Sequence, residues 1–83
     1  MLYQGEKTAW IVQRDLDGAF RCDDKYGWQT KTNPENFIFY RTVHNAIKFG
    51  LRGAMRRSPG YDGTAYAIFP GDSVDCNGTI TRG

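Results

Sequence analysis

Lys48, Arg52 and Arg56 recur every four residues, and Asn45 joins them on one side if the segment is wound as a helix. A cationic row at that spacing lines point charges and guanidinium forks along one face, an arrangement suited to carboxylates or phosphates. His44 and Phe49 flank the row, adding an imidazole and a ring that can stack on a base or cover an apolar patch. From Arg41 to Arg57 the chain has five basic residues and no acid, while the remaining residues carry six basic and nine acidic groups, a net −3. A helix stabilising itself through its own side chains would mix signs at four-residue spacing. This pattern instead describes one basic element on a mildly acidic body, a polarity that points to a partner. A solvated outer face would account for the same residues without one.

Other chemistry is sparse. His44 is the only imidazole. With Lys48 one turn later it could form a phosphodiester-cleaving pair, as in some small RNase toxins, but no serine or cysteine nucleophile accompanies it in the motif. The glycine-containing stretches GYDGT and GDSVDCNG lack the spacing and the lysine of a phosphate-cradling loop. Asp15 and Asp17 in DLDG look like the opening of a calcium loop, yet the twelfth position is Tyr26, where a bidentate glutamate is required. One histidine and two cysteines do not make the spacings of a zinc site. No catalytic set, metal or cofactor is therefore expected. Cys22 and Cys76 read either as separate thiols in a reducing compartment or as a bridge between the first and last sheet segments.

These groups need elements to position them. Thr8 to Arg14 and Ala19 to Asp23 are β-prone runs on either side of DLDG, a hairpin signal. Tyr26 to Thr30 suggests a third short strand. Phe37 to Tyr40, FIFY, has no polar face and is read as a buried strand. Asn33-Pro34 just before it would also suit a helix start. Thr42 supplies a cap, and a helix is expected from Val43 to about Arg57, ended by Ser58-Pro59-Gly60. In it Val43, Ile47, Leu51 and Ala54 share one face, with Met55 at its edge. Ala46, Gly50 and Gly53 form a strip beside them with almost no bulk. Each helical glycine costs about 1 kcal/mol relative to alanine, so the strip implies close approach to a sheet or a bulky ring. Ala65 to Phe69 is a further strand, and Asn77-Gly78 marks a terminal hairpin. The order ββ(β)βαβ(ββ) fits an α+β domain with one helix on a small antiparallel sheet.

The 83 residues suffice for one compact domain, with five Tyr, five Phe and two Trp to build its core. These rings cannot all fit beneath one helix, and Trp28 and Tyr26, in a turn-rich segment, are expected outside. No apolar run approaches the roughly 20 residues that span a bilayer, and the N-terminus lacks a signal-peptide core. A cytoplasmic setting without membrane contact is expected.

In general character the chain resembles the small anti-defence inhibitors of phages and mobile elements, including anti-CRISPR proteins. The resemblance rests on compactness, abundant aromatics, a Thr42-capped helix with Ala46 four residues on, and the ββαβ order. It implies a non-catalytic protein that blocks a larger host protein or ribonucleoprotein complex by covering its surface, placed in the host cytoplasm if phage-encoded. The expected contact residues are Lys48, Arg52, Arg56, Phe49, Asn45 and His44 on the helix, with Trp28 and Tyr26. Nucleic-acid binding through the same helix is the alternative, although nine acids and a net charge of +2 are unlike a dedicated binder. An RNase-type toxin using His44 is the second alternative.

Overall fold

The computed structural model of the chain describes residues 3–52 and 60–83. Seven strands run in chain order: β1 (Tyr3–Gln4), β2 (Ala9–Arg14), β3 (Phe20–Arg21), β4 (Trp28–Gln29), β5 (Gly63–Ile68), β6 (Ser73–Val74) and β7 (Ile80–Thr81). A helix, α1, lies between β4 and β5; it starts as one α-turn, Val43–Asn45, and continues as a π-helical segment, Ala46–Leu51. The α+β class is as expected, but there are two antiparallel sheets rather than one. The larger has strand order β4-β3-β2-β5, and the smaller β1-β6-β7.

β2 is the centre of the molecule because its alternating side chains serve two cores. Ile11 joins Phe20, Cys22, Phe37, Ile68 and Val74 on one face, where Tyr3 and Ile80 of the small sheet also pack. Val12 joins Ala46 and Leu51 on the other, with Trp10, Trp28, Tyr40 and Ala65 around them. The period-two geometry of a strand thus produces three layers: helix, four-stranded sheet, three-stranded sheet.

Both hairpin signals are used as read. DLDG turns β2 into β3, with the Gly18 N–H donating to the Arg14 carbonyl at 3.0 Å. Asn77-Gly78 turns β6 into β7, with Gly78 at φ +77 and the Phe20 ring against its Cα. That glycine is required twice over, for its backbone angle and for the ring beside it.

The FIFY segment is a correction. It forms no strand, and only its ends bridge to the sheet, Phe37 to Cys22 and Tyr40 to Trp10. The competing signal at Asn33 accounts for this. Pro34–Asn36 forms a 3₁₀ turn capped by the Asn33 side chain, with Phe37 as its C-cap, so the first residue of the run is spent on ending that turn. β1 was not anticipated; its partner, β6, lies some seventy residues away in sequence, with Tyr3 opposite Val74.

The helix is capped as expected, the Thr42 hydroxyl accepting from the Asn45 N–H at 3.1 Å. Its buried face is the second correction. Val43 and Ile47 are 46% and 38% exposed, while Ala46, Gly50 and Leu51 are buried. A Cβ on Gly50 would stand 2.9 Å from Val12 Cγ2 and 3.3 Å from the Tyr40 ring. The bulk-free strip therefore sits directly on the sheet and fixes the helix's rotation, leaving the larger aliphatics at its flank. The π-turn assists, since the Arg52 N–H donates five residues back to the Ile47 carbonyl at 2.9 Å, placing Ala46 and Leu51 on the same side. The described helix closes at Arg52; the rest of the expected helix, including Arg56 and the remaining glycine of the strip, lies outside the described residues.

Candidate functional site

Residues 43–52 gather most of the anticipated contact residues on one surface. His44, Lys48 and Arg52 are exposed, and together with Ile47 they line a shallow groove of about 370 Å³. Phe49 is 42% exposed, with the Lys48 Nζ 5.2 Å from its ring centroid. Among the described residues, none of these side chains forms an ion pair; the three pairs present are Arg14–Asp17, Arg21–Asp24 and Arg82–Asp72. Asn45 is half-buried, and its backbone N–H is engaged by the Thr42 cap. Arg56 lies outside the described residues.

The surface is not purely cationic. Val43 and Ile47, expected in the core, stand among the cations with Phe49. The clue was present in the sequence: a helix with an alanine and glycines at four-residue spacing buries that strip first, and whatever flanks it is displaced outward. A second depression continues from Ile47 and Arg52 past Leu51 to Tyr61, Asp62, Gly63 and Ala65. Cations, aliphatics and rings therefore form one continuous face on the helix and the start of β5.

Trp28 behaves differently. It is half-buried, meeting Tyr61 edge-on with centroids 5.4 Å apart. The Arg14 guanidinium packs beside both rings, 4.6 Å from the Trp28 centroid and 4.9 Å from that of Tyr61. Arg14 also holds Asp17 through two bonds of 2.8 Å, which with the Ala19 N–H keep the Asp17 carboxyl down at about 2. Arg21 stands 5.9 Å from the Trp28 ring centroid and pairs with Asp24 at 3.0 Å. Trp28 is thus committed to an internal cluster; it packs against the Val12, Ala46 and Leu51 core, and Tyr61 links the cluster to the depression beside the helix. Tyr26 is 40% exposed on the turn between β3 and β4, its ring 5.6 Å from Lys25 Nζ; among the described residues no aromatic or ion-pair contact joins it to the helix group. Sequence reasoning missed Arg14, whose acid three residues on, across an Asp-Gly turn, was the available signal.

Elsewhere, Cys22 and Cys76 are separate free thiols, and burial pushes the Cys22 thiol up. Asp72 is held below its ordinary value by the Phe69 and Gly83 N–H groups and by Arg82. Among the described residues no three metal-ligating side chains cluster, and no helix is long and apolar enough to cross a membrane. Compared with models of known families, with curated proteins and with solved structures, the chain matches none.

Proposed function

We propose that the chain is a non-catalytic binding protein that inhibits a larger host protein or ribonucleoprotein complex by covering part of its surface. The observation that carries this reading is one exposed helix face on which Val43, Ile47 and Phe49 stand among His44, Lys48 and Arg52, none of which forms an ion pair among the described residues. Interfaces draw their energy from a few apolar and arginine anchors inside a polar rim. The matching partner is an apolar spot edged by carboxylates, to which the guanidinium and ammonium groups pair.

A nucleic-acid backbone fits this face less well. Phosphates reward density of cations, and exposed valine and isoleucine give them nothing. Hydrolysis would need His44 to have a partner; Lys48 is the nearest candidate in sequence, and both line an open groove.

The test is capture of the partner from host lysate by the native chain and by two variants, Lys48→Glu/Arg52→Glu and Ile47→Asp. Each is expected to stay folded and to lose capture more than about tenfold, as removal of an interface anchor does. Undiminished capture by the folded charge-reversed variant would dismiss the helix face. A salt-dependent mobility shift with DNA or RNA, in the absence of protein capture, would replace this reading with nucleic-acid binding.

A further inference from the structure

The outer edge of β5 is a backbone edge; Gly63 and Ala65 on it, and Asp62 just before it, also line the depression next to the helix, but what it offers a partner does not depend on the helix reading. In an antiparallel pair, hydrogen-bonded and non-bonded positions alternate. The Asp15 N–H donates to the Asp62 carbonyl at 2.7 Å, and Trp10, opposite Ala67, spends both backbone groups on Tyr40 at 2.8 and 2.9 Å. The bonds between β2 and β5 therefore fall at Thr64, Tyr66 and Ile68. Gly63, Ala65 and Ala67 turn their N–H and C=O groups to the outside. Among the described residues, the one hydrogen bond to these groups comes from Arg82 Nη1 to the Ala67 carbonyl, at 2.8 Å.

β5 is as long as β2, and it lies at the end of its sheet. GTAYAI contains no charge and no proline, so the strand itself has none of the devices that keep an edge from pairing. We propose that this edge pairs with the same edge of a second copy, antiparallel about a two-fold axis at Ala65. That register sets Gly63 against Ala67 and Thr64 against Tyr66 of the second copy. One face of the seam then brings together only glycine and alanine, while the other forms two threonine–tyrosine pairs of the kind that stabilise sheets.

Charge favours the same register. Position 62 comes opposite position 68 of the second copy, so the exposed Asp62 arrives beside that copy's Arg82. The Arg82 side chain is 58% exposed and uses only Nη1 for Asp72 and Ala67, leaving two nitrogens for a carboxylate. A carbonyl has two lone pairs, so Ala67 can accept from Gly63 of the second copy without releasing Arg82. The two-fold generates this ion pair twice, as a self-complementary interface must.

Sedimentation of the full chain from ~10 µM to ~1 mM tests the proposal, a range suited to a seam of one short strand. The mass is expected to rise from 9.4 kDa toward twice that value. Ala65→Pro removes an outward N–H and leaves the bonds to β2 intact, a tolerated use of proline on an edge; it is expected to stay folded and monomeric throughout. Asp62→Arg, which faces Arg82 with a like charge, is expected to weaken the dimer at least tenfold. A monomer at every concentration, or a dimer undiminished in folded Ala65→Pro, overturns the proposal. Should Ala65→Pro fail to fold, amide exchange of the native chain decides. Protection of the Gly63, Ala65 and Ala67 N–H groups that rises with concentration supports the seam, and concentration-independent exchange of all three overturns it.

Discussion

Two clusters in this molecule use the same residue types to opposite ends. Around Arg14, one guanidinium packs beside both the Trp28 and Tyr61 rings and is neutralised by Asp17, and Arg21, 5.9 Å from Trp28, has Asp24. On the helix, Lys48 lies beside Phe49, and Arg52 beside Ile47; among the described residues neither cation forms an ion pair, although Asp62 lines the neighbouring depression together with Arg52. The first cluster satisfies itself and acts as a clamp over the end of the central sheet. The second leaves its cations and apolar groups for something else. Cation–π contact alone does not separate a structural cluster from a binding one; a carboxylate bonded to the cation does.

The largest perturbation of this comparison comes from beneath the open cluster. Gly50→Leu drives a side chain into Val12 and Tyr40, and is expected to destabilise the fold by about 3 kcal/mol, outweighing the gain in helix propensity. Urea unfolding measures it, and a change under 1 kcal/mol would mean that the helix is not seated on its glycine.

Ring deletion distinguishes the clusters directly. Trp28→Ala removes a half-buried ring from Arg14, Tyr61 and the Val12 core, with an expected cost of about 2 kcal/mol. Phe49→Ala should stay within about 0.5 kcal/mol of the native chain while reducing partner capture. Equal losses of stability would erase the distinction drawn here.

The smallest effect is read with acid. Asp17 titrates at about 2 in the folded chain, below its ordinary 3.8, so its contribution is fully present above pH 4 and is lost as pH falls through 2. Asp72 shifts in the same direction and adds to the loss. Asp17→Asn should flatten the fall of Tm between pH 4 and pH 2, whereas Lys48→Glu/Arg52→Glu should leave the Asp17 part of that slope in place. An unchanged slope in Asp17→Asn would show that the Arg14 clamp is not closed in solution.

The parts of the fold legible in the sequence were those fixed by neighbours along the chain. Asp17-Gly18 and Asn77-Gly78 need particular backbone angles, and Thr42 needs only the N–H three residues on. What escaped depended on distant partners. Nothing in Tyr3–Gln4 indicates that Ser73–Val74 will lie beside it, and FIFY reads as a strand until the Asn33-Pro34 turn sets its approach. The site was half legible. Its cations were visible as a four-residue repeat, but the exposure of Val43 and Ile47 depends on how Gly50 meets Tyr40. Trp28 was placed outside because its surroundings are turn-like, whereas Arg14 draws it in.

The π-helical segment has a consequence for how this chain tolerates changes in length. With Ala46 and Leu51 both anchored, the stretch between them holds one residue more than an α-helical turn would require. Removing a single residue from 47–49 would let the turn tighten to the ordinary pitch with both anchors still seated, at the expense of one member of the outward-facing set. Length variation at this point would therefore remodel the docking face while leaving the scaffold beneath it intact, a route by which such a surface can be retuned toward a new target in a single step.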